Sequence, residues 1–235
     1  MSSGFFGFFA HTGVMSVLEA EGLQPKRLSG SSAGALVAAL WSAGLSTDRM
    51  RDELLALERA HFWDPSPGLG VLRGKLFLEK LKTLLPVETF ERCRAPVAVS
   101  VFDLMGRRTS VINSGAIAPA VVASCAVPLM FHPVWIDRRP YADGGIADRH
   151  GLAGMPSGER VLYHHLASRS PWRRPGSPSL ALPASPQVTS LVIEQMPRVN
   201  PFALQKGRLA FEHAARAARA ALSRPVSGGA VRLAG

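Results

Sequence analysis

The sequence predicts an α/β fold in which a mostly parallel sheet lies between helical layers. Segments of strand length alternate along the chain with segments of helical periodicity, which is typical of parallel sheets covered by helices. Residues 97–102 are apolar or β-branched at nearly every position, and Val161–Leu166 is predicted to be a second buried strand. A length of 235 residues suits a single domain with one sizeable core.

The N-terminal part of the chain is predicted to run helix, strand, helix. Residues 11–21 carry an apolar stripe at helical spacing, and Gly22 marks the end of that helix. A short extended segment, residues 26–29, leads into residues 35–43, which are apolar on almost every side. A helix of that composition is expected to be buried within a larger fold.

The remaining elements follow from the same periodicities. Residues 62–74 are rich in Pro and Gly and predict a loop. We expect a single domain over residues 1–222 and a frayed tail over residues 223–235. Further helices are predicted at residues 48–59, 75–85, 119–125 and 201–222, and further strands at residues 109–112 and 134–137.

Composition narrows the possible function classes. The chain contains 47% apolar residues, as globular proteins do. No run of about 18 apolar residues occurs, and residues 4–10 are too short for a signal peptide, so we expect a cytoplasmic protein. Cys93 and Cys125 are expected to be reduced thiols, because two cysteines make no disulfide framework.

The net charge of +10 is concentrated in the C-terminal third. Residues 169–235 hold 10 basic and 2 acidic side chains, whereas residues 1–168 hold 17 basic and 15 acidic ones. Basic surfaces of this kind attract anionic membranes or nucleic acids. Neither a zinc-knuckle spacing nor an RNA-binding aromatic motif occurs, so no nucleic acid is expected and peripheral contact with an anionic membrane is favoured.

A serine nucleophile is indicated by the pattern Gly30-x-Ser32-x-Gly34. A nucleophilic serine needs a sharp turn between a strand and a helix, and glycines two residues before and after relieve the crowding there. The helix that follows also directs its first N–H groups at negative charge formed near the serine. The alternative is a small-residue loop in which Ser32 only caps a helix.

Ser32 needs a base, and Asp143 is the candidate. Asp143 lies just past a predicted strand and is followed by Gly144 and Gly145, which allow the backbone to pass close to another element. The alternative interpretation of this Asp-Gly pair is a hairpin turn. Pairing with the serine turn favours the catalytic interpretation.

A triad completed by His164 or His165 is a further alternative. In α/β-hydrolases the serine turn follows several strands, whereas only about 30 residues precede Ser32 here. The two histidines lie in an apolar strand, where neighbouring side chains point to opposite faces. A structural role for both is therefore favoured.

Taken together, these motifs resemble the patatin-like phospholipase family over most of residues 4–150. The resemblance implies a three-layer α/β/α fold and a Ser32–Asp143 dyad without a catalytic histidine. It also implies acyl-lipid substrates and chemistry that needs no metal or other cofactor. The motifs that carry the resemblance are His11-Thr12-Gly13-Val14, Gly30-x-Ser32-x-Gly34, residues 123–128 and Asp143-Gly144-Gly145.

The family's glycine-rich N-terminal loop, which forms its oxyanion hole, is altered in this chain. Phe6 stands where a basic residue is usual, and serines replace the first two glycines. The family's first strand, expected before the loop, is either missing from the chain or lies upstream of Met1. Backbone N–H groups of Gly4, Phe5 and Gly7 are the expected oxyanion donors, because donors of this kind are independent of the side chain. Four phenylalanines are expected to pack in the core, and the alternatives are an acyl-chain pocket beside this loop or contact with a lipid surface. They are Phe5, Phe6, Phe8 and Phe9.

Three functions remain open at this stage. The first is a serine acyl hydrolase that acts on carboxylic esters of acyl lipids through an acyl-enzyme. The second is a catalytically impaired patatin-like module that binds lipid or a protein partner. The third is an acyltransferase that uses the same dyad. Acyl chain length, head group and oligomeric state are not determined by these residues.

Overall fold

Helices and strands alternate along the chain in the computed structural model, which describes residues 1–166 and 180–233. The mixed α/β class predicted from sequence is confirmed. The helices are α1 Phe8–Ala20, α2 Ala33–Ser42, α3 Thr47–Leu55, α4 Lys75–Leu84, α5 Ile117–Ser124 and α6 Gly207–Ala221. The strands are β1 Leu28–Ser31, β2 Gly70–Leu72, β3 Val97–Asp103, β4 Arg108–Ile112, β5 Leu129–Phe131, β6 Val134–Ile136, β7 Arg139–Asp143, β8 Val161–Leu166, β9 Val188–Ile193 and β10 Ala230–Leu233.

The described strands form three sheets, and most of their pairings are parallel. The largest has the order β1-β3-β7-β6, with β4 also paired to β3. A second sheet has the order β10-β9-β8, and β2 pairs with β5 in a third. The β1–β3, β2–β5, β8–β9 and β9–β10 pairings are parallel, while β4, β6 and β7 add antiparallel neighbours.

The first residues of the chain lie between β1 and β8 and link the two larger sheets. The amino group of Met1 donates to the carbonyl of Ser29 at 2.8 Å, and the N–H of Ser31 donates to the carbonyl of Met1 at 3.3 Å. On the other side, the N–H of Ser2 donates to the carbonyl of His164 at 3.2 Å. This segment supplies backbone partners to both strands without forming a regular strand of its own.

One face of the sheets is covered by helices. All ten residues of α2 are buried, as its uniformly apolar sequence predicts, and α2 packs with α5 on the inner side chains of β3. A second cluster joins α1 and α6 to β8 and β9. Helix α1 contributes Met15 to the first cluster and Val14 and Val17 to the second, so it joins the two cores.

The opposite face is covered by an irregular segment, residues 144–154, within the described part of the chain. Small side chains on the strands make this approach possible, since Gly154 lies against Ala98 and Ser29. Asp148 anchors the segment, because its carboxylate accepts a hydrogen bond from Ser100 Oγ at 2.6 Å. The same carboxylate accepts three backbone N–H groups from the following residues.

One expectation about an individual element is wrong, and one predicted strand is confirmed with a shorter span. The tail was expected to be frayed over residues 223–235, but Ala230–Leu233 forms β10 and pairs in parallel with β9. The reason is burial, because Ala230, Val231 and Leu233 all pack into the interior. The strand predicted at residues 134–137 ends earlier, where Asp137 and Arg138 adopt positive φ angles of 47° and 64° and reverse the chain into β7.

No helix in residues 1–166 or 180–233 is both long and apolar enough to cross a bilayer.

Candidate active site

Ser32 occupies a sharp turn between β1 and α2. Its φ of 53° and ψ of −120° lie outside the regions that a residue with a side chain normally adopts. Strained backbone of this kind persists only where surrounding structure enforces it, and it concentrates at functional sites. Helix α2 starts at the next residue, and the first N–H of its hydrogen-bond ladder is that of Leu36, which donates to the Ser32 carbonyl at 3.0 Å. The earlier N–H groups of α2 have no carbonyl partner within the helix and lie at its end next to Ser32.

The glycines on both sides of this turn are required by contact distances. A Cβ added at Gly30 would meet the backbone of Gly34 and, at 2.5 Å, the nitrogen of Ala35. A Cβ added at Gly34 would meet the backbone carbonyl of Met1. Both neighbours are main-chain atoms, which cannot rotate away as a side chain can. The glycine spacing that predicted the serine turn is therefore explained by close main-chain contacts at Gly30 and Gly34.

The structure brings Ser32 and Asp143 together. Ser32 Oγ donates a hydrogen bond to Asp143 Oδ2 at 2.7 Å, although the residues are 111 positions apart in sequence. Both residues are buried, with 9% and 7% of their surfaces exposed. The carboxylate is held from its other oxygen, because the N–H of Gly145 donates to Oδ1 at 2.7 Å. Its backbone is held too, since the N–H of Asp143 donates to the carbonyl of Ala126 at 2.9 Å.

Gly144 and Gly145 follow Asp143 in a 3-10 turn at the end of β7, so the hairpin-turn interpretation of this segment is wrong. A Cβ at Gly144 would meet the backbone carbonyl of Ser100. A Cβ at Gly145 would approach Ser3 Oγ at 2.5 Å and Asp143 Oδ1 at 2.9 Å. These glycines allow the backbone to pass close to β3 and to the N-terminal segment, as the sequence predicted.

Ser124 is a site residue that sequence reasoning did not identify. It is fully buried at the end of α5, and its hydroxyl accepts the N–H of Ser32 at 2.8 Å. The same hydroxyl donates to the carbonyl of Ser100 at 2.7 Å. Ser124 therefore links the strained turn to β3. The available sequence signal was a buried serine inside an otherwise apolar helix, which needs a hydrogen-bond partner.

The three expected oxyanion donors divide into two groups. The expectation that Gly7 is an oxyanion donor is wrong, because its N–H donates to the Gly4 carbonyl at 2.9 Å and is not available to an oxyanion. This bond closes a turn in which Phe6 has a positive φ of 53°. The N–H groups of Gly4 and Phe5 have no backbone partner in the described part of the chain, and both residues line the same cavity as Ser32. They remain the candidate donors.

His164 and His165 point to opposite faces of β8, as predicted for a strand. His164 Nδ1 lies 2.8 Å from Nδ1 of His11 in α1, and His165 Nδ1 lies 2.9 Å from the Tyr163 hydroxyl. Burial lowers the pKa of His165 to about 4 and lowers that of His164 well below its ordinary value. Both histidines are thus neutral groups with partners of their own, while the partner of Ser32 is a carboxylate.

An apolar cavity of about 120 Å³ is lined by Ser32 and by residues of α2, α3 and α4. Phe5, Phe6 and Phe8 line it, which favours the acyl-chain alternative for these three side chains. Phe9 instead packs in the core with 1% of its surface exposed, so the core expectation holds there. Phe6, which replaces the usual basic residue of the loop, thus adds apolar surface beside the serine.

Cys125 also lines this cavity, next to the dyad. Burial, with a smaller contribution from the Asp143 carboxylate, raises the pKa of its thiol well above the ordinary value. A neutral thiol is a poor nucleophile, so Cys125 acts here as a small apolar side chain. Within the described residues, no group of His, Cys, Asp or Glu side chains is arranged to hold a metal ion.

Comparison with known proteins agrees with this geometry. Three curated relatives, one from Mycobacterium bovis and two from strains of Mycobacterium tuberculosis, are each described as an uncharacterised NTE family protein. Each is 28% identical over 151 residues, which is 63% of this chain and 42% of the relative. The chain thus spans less than half the length of the curated relatives that it matches.

A similar fold is found among solved structures. VipD from Legionella pneumophila superposes with a TM-score of 0.54 over 70% of this chain and 49% of VipD, at 16% identity. At that identity the similarity concerns the fold alone. The family model described as patatin-like phospholipase matches residues 1–154, which is more than half of the chain and contains Ser32, Asp143 and the glycines around them. The chain belongs to the patatin-like phospholipase family.

Proposed function

We propose that this chain is a serine acyl hydrolase that cleaves carboxylic esters of acyl lipids through a Ser32–Asp143 dyad. One observation carries the proposal, namely the 2.7 Å hydrogen bond from Ser32 Oγ to Asp143 Oδ2, with Ser32 lining an apolar cavity. A hydroxyl becomes an effective nucleophile when an adjacent base accepts its proton. Membership of a phospholipase family supports a lipid ester as the substrate.

The first half of the reaction forms an acyl-enzyme. Ser32 Oγ attacks the ester carbonyl carbon while its proton moves to Asp143 Oδ2. The carbonyl oxygen becomes an oxyanion, which the N–H groups of Gly4 and Phe5 and the start of α2 stabilise. The tetrahedral intermediate then collapses, and the bond to the leaving oxygen breaks. Asp143 returns the proton to the departing alcohol.

The second half of the reaction releases the acyl group. A water molecule takes the position of the departed alcohol, and Asp143 accepts its proton as the water oxygen attacks the acyl carbon. A second tetrahedral intermediate forms at the same donors and collapses to a carboxylic acid. The proton held by Asp143 passes to Ser32 Oγ, which restores the free enzyme.

The charge distribution supports contact with an anionic membrane surface. The outward side of α6 exposes Arg208, Arg216 and Arg219. Basic side chains near a membrane surface each contribute to binding of anionic lipids. We include this contact in the proposal because a lipid hydrolase must reach substrates held in a bilayer.

The test combines covalent labelling with ester hydrolysis. Wild-type protein, Ser32→Ala and Asp143→Asn are treated with a fluorophosphonate probe and assayed on p-nitrophenyl esters. We expect labelling and hydrolysis in the wild type only. Ser42→Ala, which changes another buried serine outside the site, is the matched control and retains both signals. Circular dichroism checks that each variant is folded.

Two results contradict the proposal. Equal turnover in Ser32→Ala and the wild type removes Ser32 from the chemistry. Binding to anionic liposomes with neither labelling nor turnover in the wild type identifies a lipid-binding module instead. Assays with added alcohol acceptors distinguish hydrolysis from acyl transfer, because an acyltransferase forms the new ester in preference to the free acid.

A further inference from the structure

We propose that the cavity is an acyl-chain pocket whose depth is limited by Leu40. The distance from Ser32 to Leu40 along α2 then sets a preference for acyl groups of about eight to ten carbons. This inference rests on the proposed function and assigns the specificity of the same site. It concerns the acyl group of the substrate and not its head group.

The pocket follows one side of α2 away from the nucleophile. Ala33, Leu36 and Leu40 all line it, and their spacing of three and four residues places them on one helical stripe. Leu40 is eight residues beyond Ser32, so it lies roughly 12 Å along the helix axis from the serine. Carbon–carbon single bonds of about 1.5 Å advance an extended acyl chain by roughly 1.25 Å per carbon, so about ten carbons cover that distance.

The walls exclude water from most of this length. Leu36, Leu40 and Leu81 have 5%, 2% and 2% of their surfaces exposed, and Leu54 from α3 has 8%. These side chains close the inner part of the pocket with hydrocarbon. Each methylene that enters such a surface gains transfer free energy from water, so kcat/KM is expected to rise about threefold to fourfold per carbon until the pocket is full.

The charged groups at the pocket's edge do not require a charged ligand. Glu53 and Lys80 are the two charged side chains among the lining residues that the structure describes, and Lys80 Nζ lies 2.8 Å from Glu53 Oε2. Arg49 pairs with the other carboxylate oxygen at 2.8 Å. Because these charged side chains form ion pairs with one another, the pocket suits an acyl chain that ends in a methyl group.

The test is a chain-length series of p-nitrophenyl esters from acetate to palmitate, with kcat/KM measured for each. The wild type is expected to peak at eight to ten carbons and to fall at least tenfold at sixteen. Leu40→Trp fills the pocket and moves the peak to six carbons or fewer. Leu40→Ala opens the pocket and moves the peak to longer chains. The profile of each variant is normalised to that variant's own turnover of the acetate ester.

Two further variants control for folding. Leu84→Phe narrows the pocket from a half-buried position on α4 and shortens the preferred chain even where Leu40→Trp does not fold. Leu45→Ala removes a buried leucine of the core that does not line the pocket, and its chain-length profile follows that of the wild type. Both comparisons use acetate turnover as the internal reference.

The outcomes separate this inference from the proposed function. If acetate is hydrolysed but the profiles of the Leu40 variants superpose on that of the wild type, the pocket assignment is overturned and the dyad stands. If the wild type hydrolyses no ester, the proposed function is wrong. Calorimetry with decanoate and palmitate then still tests the pocket, because the wild type must bind decanoate more tightly and Leu40→Ala must reverse that order.

Discussion

The imidazole rings of His11 and His164 contact each other through their Nδ1 atoms, 2.8 Å apart, in the interior between α1 and β8. His11 Nε2 faces the carbonyl of Ser2 at 2.8 Å and must donate to it, so Nδ1 of a neutral His11 is an acceptor. His164 therefore donates from Nδ1. With both rings neutral, this one hydrogen bond joins the two Nδ1 atoms, and burial disfavours a positive charge on either ring.

The pair predicts a loss of stability in mild acid. Burial lowers the pKa of His11 to about 3, whereas an unfolded histidine titrates near its ordinary value of 6.5. Between these values the unfolded state binds more protons, so the stabilisation is complete above pH 6.5 and is lost as the pH falls. For His11 alone the loss at pH 5 is about 2 kcal/mol. Urea unfolding at pH 7.5, 6 and 5 measures it.

Two variants identify the source of this pH dependence. His11→Gln, which removes one titrating ring of the pair, lowers the slope of unfolding free energy against pH between 7.5 and 5. Ser42→Ala changes a buried side chain that carries no titrating group and leaves the slope unchanged. An unfolding free energy of the wild type that is equal at pH 7.5 and 5 would contradict the assignment.

Ser124→Ala is expected to weaken both stability and catalysis. The substitution removes the acceptor for the N–H of Ser32 and leaves the carbonyl of Ser100 without its donor. Buried polar groups that lose their partner cost about 1–3 kcal/mol each. Because the affected N–H belongs to the nucleophile's own turn, kcat also falls, by about tenfold. Thermal unfolding and ester hydrolysis together measure the two effects.

Ser42→Ala provides the comparison for that variant. Ser42 is also fully buried in a helix, but its hydroxyl has no hydrogen-bond partner within the described residues. Replacing it by alanine is therefore expected to leave stability and activity near those of the wild type. Similar losses in the two variants would mean that the bond from Ser124 to Ser32 contributes little.

Gly30→Ala is expected to disrupt the serine turn. The new Cβ overlaps main-chain atoms of α2, so the strand and the helix must move apart. We expect a cost of about 3 kcal/mol or more and no labelling by the fluorophosphonate probe. Gly22→Ala is the contrasting variant, because Gly22 has a φ of 68° and open space around it. It costs about 1 kcal/mol through backbone strain alone and keeps full labelling.

Gly4→Ala tests the N-terminal loop through a compensating change. A Cβ at Gly4 would approach Leu166 Cδ1 at 2.5 Å, so the loop shifts away from β8 and its N–H groups move relative to Ser32. We expect kcat/KM to fall about tenfold while substrate binding changes little. Leu166→Val removes Cδ1 and restores most of the activity in the double variant. Additive losses in this double-mutant cycle would show that the two positions do not interact.

The proximity of Ser32 and Asp143 could be predicted because its determinants are local in sequence. Ser32 and Asp143 each lie beside glycines whose spacing reports a close approach of two backbones. Helix α2 could be predicted for the same reason, since a segment without a polar side has no position except the interior.

The remaining parts depend on contacts between distant segments. β10 has four residues and is stabilised by its pairing with β9, which periodicity in its own sequence does not report. The loss of Gly7 as a donor follows from the positive φ of Phe6, a conformation that phenylalanine rarely adopts. The cavity is formed by three helices together, so no single helix predicts it.

The position of α1 has a consequence for any attempt to isolate the catalytic half of the molecule. The family match ends at residue 154, yet Val14 and Val17 of α1 are covered by Ala214 and Ala218 of α6, and by strands that also lie beyond that point. Excising the matched region would uncover this apolar stripe and deprive the serine turn of a rigid support. Ser32 and Asp143 are therefore not held in place by the matched region alone, and residues beyond position 154 help to maintain their geometry.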